Sequence, residues 1–133
     1  MANAVFADTS ALYAFINSKD PDHKKVKDYL ERFKGQLHIT NFIFDEIITL
    51  VMARMGHNNA VITGKTLLNP KEFVLIRCKA ADELKAWELF VNRPDKHYSF
   101  IDCTSFVIME RLGIKKSLAT DPHFEQEGFE SVL

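Results

Sequence analysis

The sequence predicts an α/β fold, in which a mostly parallel sheet is covered by helices on both faces. Short apolar runs of strand length alternate with longer stretches in which apolar residues recur at helical spacing. Glycine or proline follows soon after each helical stretch and marks where it ends. The length of 133 residues, with 47% hydrophobic and 26% charged residues, is typical of one globular unit. We therefore expect residues 1–133 to form a single domain.

The first half of the chain predicts two strands and four helices. A proline-containing turn at 20–22 begins a helix in which Val26, Leu30 and Phe33 lie on one face, and Gly35 ends it. A long apolar helix ends at Gly56 and is followed at once by another. The predicted strands are 3–8 and 37–40, and the other predicted helices are 10–16, 41–55 and 57–68.

The second half predicts two or three strands and two helices. One strand follows the Asn69-Pro70 break, and a helix that contains Trp87 comes next. A further helix begins at Ser99, and Gly113 ends it. The predicted strands are 73–77 and 117–120, with a fifth in the tail at 128–133, and the predicted helices are 80–91 and 99–112.

Four acidic residues stand where an ordinary soluble domain has little use for charge. Three of them, Asp8, Asp102 and Asp121, end short apolar runs and precede or begin a predicted helix. In an α/β fold that position is the carboxyl edge of the sheet, where ligands bind. The fourth, Glu46, lies within the long apolar helix, where neither capping nor full exposure to solvent explains it.

Each aspartate also has a structural explanation. Asp8 precedes Thr9 and Ser10 and is a good N-cap residue. Asp102 is the third residue after Ser99, which is the spacing of a capping box. Asp121 precedes a proline, a combination that favours the start of a helix. Taken singly, each residue is more often a cap than part of a catalytic site.

Taken together, the four acids predict a divalent cation. At separations of ~5 Å, each pair of carboxylates would repel by about 3 kcal/mol at an effective dielectric constant near 20. A small domain cannot readily lose that much stability, and a cation removes the repulsion. Carboxylates without neighbouring His or Cys ligands suit hard ions such as Mg²⁺ or Mn²⁺. Water activated by such an ion would hydrolyse a phosphodiester.

The residues around the four acids resemble one family. The runs are 8–13 (DTSALY), 41–46 (NFIFDE), 99–106 (SFIDCTSF) and 120–124 (TDPHF), followed by Gly128 and Phe129. In this order they resemble the PIN-domain ribonucleases, in particular the VapC-like toxins of prokaryotic toxin–antitoxin pairs.

The resemblance implies a three-layer α/β/α fold with a central parallel sheet and Mg²⁺- or Mn²⁺-dependent cleavage of single-stranded RNA. It implies a homodimer that is blocked by a small antitoxin. It places the metal ligands at Asp8, Glu46, Asp102 and Asp121. We expect Asp121 to lie slightly farther out and to reach the cation through water. Ser10 or Thr9 would be the polar helper that orients water or phosphate.

Other features carry less weight. His123 could approach a phosphate, but a lone surface histidine is more often neither ligand nor base. The lysines and arginines are scattered, which is more typical of a solvated face than of an RNA contact. Cys78 and Cys103 lack metal-ligand spacing and predict reduced thiols. Without a basic leader or a run approaching the ~20 apolar residues of a membrane span, the sequence favours a cytoplasmic protein with no membrane contact.

Alternative functions remain open at this point. The chain could be a free-standing RNA-processing nuclease without an antitoxin, or a binding module that keeps the fold but has lost turnover. A phosphoryl-transfer domain of the receiver or phosphatase type is less favoured, because the first strand is followed by Asp8-Thr9-Ser10 and lacks the Asp-x-Asp spacing of a phosphoaspartyl phosphatase.

Overall fold

A computed structural model describes residues 3–133, which form five strands and seven helices. The predicted domain of residues 1–133 includes two amino-terminal residues that lie outside this description. The strands are β1 (Val5–Ala7), β2 (Leu37–Thr40), β3 (Phe73–Ile76), β4 (Lys116–Leu118) and β5 (Glu130–Ser131). The helices are α1 (Thr9–Ile16), α2 (His23–Arg32), α3 (Asn41–Met55), α4 (His57–Leu67), α5 (Ala80–Val91), α6 (Phe100–Leu112) and α7 (His123–Gln126).

The five strands form one parallel sheet in the order β3-β2-β1-β4-β5. The central strand β1 pairs with β2 on one side and β4 on the other, so that Val5 lies between Leu37 and Lys116. Helices cover the sheet, with α3 packed on α4 and α1, and α5 packed on α6. This arrangement confirms the predicted three-layer α/β/α fold with a central parallel sheet.

Strand β1 is buried on both faces, as expected of a central parallel strand. Val5, Phe6 and Ala7 are all within the core. Phe6 lies 6.1 Å from Phe124 between ring centroids, and Phe124 packs edge-to-face on Phe106 of α6 at 4.9 Å. These contacts tie the centre of the sheet to α6, which carries Asp102, and to α7, which follows Asp121.

Several predicted boundaries shift by a few residues. The first strand is confined to Val5–Ala7, because Asp8 is the N-cap of α1, although its backbone N–H still donates to the Leu118 carbonyl of β4 at 2.9 Å. Strand β4 begins and ends earlier than predicted, so Thr120 and Asp121 lie in a bend beyond its carboxyl end. The short helix α7 is absent from the sequence-based prediction, since four residues are too few to show helical spacing.

The two cysteines are free, as predicted. Cys103 is buried and Cys78 is half-buried, and burial raises the pKa of each thiol to about 11. Within residues 3–133, no helix has both the length and the apolar character needed to cross a bilayer.

Candidate active site

An open cleft of about 680 Å³ lies at the carboxyl edge of the sheet. Its walls come from the start of α1, one face of α3, the start of α6 and the bend after β4. All four predicted acids line this cleft: Asp8, Glu46, Asp102 and Asp121. The same fold position that the sequence predicts for three of them therefore brings the whole set to one place.

Asp8 directly follows β1 and is 4% exposed. Its Oδ2 atom accepts hydrogen bonds from the backbone N–H of Ser10 at 3.2 Å and from the Ser10 hydroxyl at 2.7 Å. The Ser10 hydroxyl in turn accepts the backbone N–H of Thr120 at 3.1 Å. Ser10 thus braces Asp8 against the segment that precedes Asp121.

The charge of Asp8 is unfavourable in this position. Burial raises the pKa of its carboxyl, the Ser10 hydroxyl lowers it, and the negative charges of Asp121 and Asp102 raise it further, to about 7. Without a ligand, the burial of this carboxyl beside two other acids lowers the stability of the folded protein whenever Asp8 is ionised. A cation would favour the ionised form and remove the cost.

Asp102 is the third residue of α6 and forms a complete capping box with Ser99. Its backbone N–H donates to the Ser99 hydroxyl at 3.0 Å, and its Oδ2 atom accepts the Ser99 N–H at 2.9 Å. Oδ2 also contacts Nδ1 of His123 at 2.8 Å. The capping role predicted for Asp102 is therefore real, and it coexists with a position in the acidic cleft.

Asp121 and His123 complete the wall formed by the bend after β4. Asp121 Oδ1 accepts the backbone N–H of His123 at 3.0 Å and lies 3.8 Å from its Nδ1. Ligand atoms of Asp102, Asp121 and His123 all lie within 4.8 Å of one another. Asp121 belongs to this closest group of ligand atoms, and the expectation that it lies slightly farther from the cation stays a prediction. It also does not occupy the predicted N-cap position, because Pro122 precedes the first residue of α7.

Glu46 is half-buried on α3 and faces the cleft from the opposite wall. Its neighbour Asp45 also lines the cleft and is exposed, with the Thr49 hydroxyl at 3.5 Å. Neither Glu46 nor Asp8 belongs to the group of ligand atoms within 4.8 Å that is found among residues 3–133. The wall formed by α3 therefore stands apart from the tightest cluster.

The two predicted polar helpers differ in their contacts. Ser10 commits its hydrogen to Asp8 and accepts from Thr120, so its contacts brace the site. The Thr9 hydroxyl is buried and has no hydrogen-bond partner among the residues described. Both residues line the cleft.

His123 is the site residue that the sequence reasoning undervalued. Its signal was its place two residues after Asp121 and directly before Phe124, which is 1% exposed and anchors α7 in the core. A residue between a buried anchor and a cleft acid has little freedom to point elsewhere.

Lysine and arginine side chains, as far as the structure describes them, lie outside this cleft. Arg93 forms an ion pair with Glu127 at 3.1 Å, and the Arg54 guanidinium lies over the Tyr13 ring at 5.0 Å. Among the described residues that line the acidic cleft, there is no lysine or arginine. The side chains of the cleft that can carry positive charge are, among the described residues, His97 and His123.

The donor set fits a hard divalent cation. Within residues 3–133, no hydrogen bond reaches Oδ1 of Asp8 or Oδ1 of Asp102, whereas Oδ2 of each accepts two. Carboxylate oxygens dominate the cluster, as Mg²⁺ and Mn²⁺ prefer.

Comparisons with known proteins agree with this geometry. The family described as "PIN domain" matches residues 5–129. The 23S rRNA-specific endonuclease VapC20 of Mycobacterium tuberculosis, from strains CDC 1551 / Oshkosh and H37Rv, is 33% identical over 129 residues, which cover 96% of this chain and 97% of the relative. Ribonuclease VapC26 of M. tuberculosis H37Rv is 25% identical over 114 residues, covering 86% of this chain and 84% of the relative.

A solved structure extends the similarity to three dimensions. The crystal structure of M. tuberculosis VapC20, described as a sarcin-ricin loop cleaving toxin, matches with a TM-score of 0.89 and 31% identity. The match covers 94% of this chain and 95% of that one. Sequence, fold and the acidic cleft agree, and this chain belongs to the PIN-domain family.

Proposed function

We propose that this protein is a metal-dependent endoribonuclease and the toxin of a VapBC-type toxin–antitoxin pair, acting as a single PIN-like domain. The observation that carries the proposal is the environment of Asp8. Burial, together with the negative charges of Asp121 and Asp102, raises the pKa of this carboxyl to about 7, so its ionised form costs free energy unless a cation is bound. The predicted class of RNA-cleaving hydrolase agrees with the activity of the VapC relatives.

Asp8, Asp102 and Asp121 would hold the cation, with Glu46 approaching from α3 and Mg²⁺ or Mn²⁺ as the ion. When bound, such a cation supplies a Lewis acid for the phosphodiester and lowers the pKa of water near it. Ser10 would hold Asp8 in place, and Thr9, which also lines the cleft, is the other candidate for orienting water or phosphate. No lysine or arginine is among the described cleft residues, so the cation would add positive charge beside the scissile phosphodiester, while contacts outside the cleft would hold the rest of the RNA.

The substrate and partners follow from similarity along nearly the full chain. VapC20 is named as an endonuclease of 23S rRNA and described as cleaving the sarcin-ricin loop. We propose a structured ribosomal RNA loop as the substrate class of this protein and the cytoplasm as its location. A small antitoxin and a second copy of the chain are its proposed partners.

The test is cleavage of RNA by the purified protein. We expect 23S rRNA to be cut in the presence of Mn²⁺, and EDTA to stop the reaction. Asp8→Asn should reduce cleavage at least ~100-fold while RNA binding persists, because removing a negative charge lowers repulsion toward phosphate. Expression of the wild type without an antitoxin should slow growth, and Asp8→Asn should be harmless at the same protein level.

The alternative functions give different results. Binding of RNA without cleavage at any Mn²⁺ concentration would contradict the enzyme and favour a binding module. Cleavage without a growth defect would favour a free-standing RNA-processing nuclease over a toxin.

A further inference from the structure

We infer that His123 is a positioning residue for the cation site: its Nδ1–H fixes Oδ2 of Asp102 and so leaves Oδ1 directed to the ion. This inference rests on the proposed function, because it concerns the same cleft. It assigns a role to His123, a cleft residue to which the sequence analysis gave little weight.

The hydrogen bonds of Asp102 carry the argument. Its Oδ2 atom accepts from the Ser99 N–H at 2.9 Å and faces His123 Nδ1 at 2.8 Å. Because an ionised carboxylate only accepts hydrogen bonds, Nδ1 must carry the hydrogen. Two donors occupy one oxygen of Asp102, and no hydrogen bond from residues 3–133 reaches the other.

The histidine ring is itself held from two sides. Its backbone N–H donates to Asp121 Oδ1 at 3.0 Å, which fixes the start of α7. The ring packs edge-to-face on Tyr98 at 5.5 Å between centroids, and Tyr98 packs in the same way on Phe106 at 5.0 Å. Tyr98 and Phe106 are buried, so the ring rests on rigid core. Because the His123 ring is already fixed, its Nδ1–H orients the carboxylate of Asp102 with little further loss of side-chain entropy.

Asp8, on another wall of the cleft, also has one carboxylate oxygen held by hydrogen bonds and one without any from the described residues. Oδ2 of Asp8 accepts both hydrogen bonds from Ser10, and Oδ1 accepts none from the described residues. Ser10 is tied to Thr120 and His123 follows three residues later, so one short segment braces both aspartates. Metal ligands in proteins are commonly oriented by such outer hydrogen bonds, and losing one costs about 10–100-fold in metal affinity.

Direct ligation by His123 is the competing role. Its Nδ1 lies 2.8 Å from Oδ2 of Asp102 and 3.8 Å from Oδ1 of Asp121. Coordination through Nδ1 would, however, require the hydrogen on that atom to leave and the bond to Asp102 to break. The hard, oxygen-rich donor set favours the positioning role.

The experiment measures Mn²⁺ affinity at fixed pH by calorimetry for the wild type, three variants of His123 and one control variant. His123→Ala removes the donor, and affinity should fall about 10–100-fold. His123→Asn places an amide N–H close to the position of Nδ1 and should recover most of the loss. His123→Gln places its amide nearer to the position of Nε2 and should behave like His123→Ala. His57→Asn, which removes a histidine at the start of α4 outside the cleft, should bind as the wild type does.

Two results would overturn the inference while leaving the proposed function intact. One is wild-type affinity in His123→Ala. The other is a directly coordinated ¹⁴N signal in the pulsed electron paramagnetic resonance spectrum of the wild-type Mn²⁺ complex that is lost in His123→Ala, which would make His123 a ligand and not His97. If the wild type itself binds no Mn²⁺, the cation site and the proposed function both fail. Thermal melts of each variant without metal show whether a loss of affinity reflects a loss of folding.

Discussion

Asp82 and Asp102 occupy the same local position in two neighbouring helices and have opposite surroundings. Each is the third residue of its helix, and each accepts the backbone N–H of the residue before the helix, at 2.8 Å from Lys79 and 2.9 Å from Ser99. They are buried alike, at 3% and 7% exposure. Local sequence makes both of them caps, and only their tertiary partners distinguish them.

The partner of Asp82 is a cation within the protein. Arg111 donates two hydrogen bonds to its carboxylate, at 2.9 and 3.0 Å. Burial alone would raise the pKa of Asp82, but the Lys79 N–H and the Arg111 guanidinium outweigh burial, and the pKa is lowered. The Arg111 guanidinium neutralises the charge of Asp82, so this acid stabilises the fold and does not need a bound cation.

Asp102 lies instead among other acids and a histidine. It faces Asp121 and His123, and its charge helps to raise the pKa of Asp8. A buried acid that an arginine neutralises is structural, whereas buried acids that face one another mark a site for a ligand. Asp82 has an arginine beside it, whereas no lysine or arginine is among the described residues that line the acidic cleft. This difference in neighbouring charge, more than the presence of a buried acid, distinguishes the candidate site.

The largest expected effect on stability separates the two aspartates. Asp82→Asn leaves Arg111 without its counter-ion and should lower the free energy of unfolding by about 3 kcal/mol, toward the lower end for buried pairs because Arg111 is partly exposed. Asp102→Asn keeps an oxygen that can accept the Ser99 N–H and removes a repulsive charge, so unfolding without metal should change by less than about 1 kcal/mol. Urea denaturation of both variants measures the difference. Equal losses in the two would mean that Asp102 is only a cap.

A smaller effect should appear in the pH dependence of stability. The pKa of Asp8 is raised in the folded protein to about 7 from 3.8, so the folded state binds more protons between these values. The metal-free protein should therefore gain roughly 2 kcal/mol as the pH falls from 8 to 5, and Asp8→Asn should lack this gain. The lowered pKa of Asp82 acts with the opposite sign, and its contribution is lost only below about pH 4.

Melting temperatures in chelated buffer across this range test the pH prediction. Asp82→Asn should keep the gain between pH 8 and pH 5, because Asp8 is intact in that variant. A gain of the same size in Asp8→Asn would assign the pH dependence to another group.

The fold was predictable because its signals are local and repeated. Strand β2 and helix α3 have the predicted bounds, since Thr40 accepts the N–H of Ile43 as an N-cap and Gly56, at a φ of 90°, ends the helix. The central parallel sheet and the family were both confirmed. Helix α7 was missed, because four residues held by one buried phenylalanine leave no periodic pattern.

The candidate site was predictable only in part. The ends of the strands and the starts of the helices that follow them meet at one edge of the sheet, so the sequence pattern indicates that Asp8, Asp102 and Asp121 lie close together. Glu46 reaches the same cleft from within α3. The contact between His123 and Asp102 depends on how Tyr98 and the core place the ring, and no local pattern reports that. The bracing role of Ser10 likewise requires Thr120, which is 110 residues away along the chain.

The most direct test of the account is the position of a bound ion. Crystals of the protein grown or soaked with Mn²⁺ should give an anomalous difference peak between the carboxylates of Asp8, Asp102 and Asp121, and Asp102→Asn should weaken or abolish that peak. The ion pair between Asp82 and Arg111 should carry none, which serves as an internal control. An empty acidic cleft at saturating Mn²⁺ would contradict the central claim that these acids are brought together in one cleft to hold a cation.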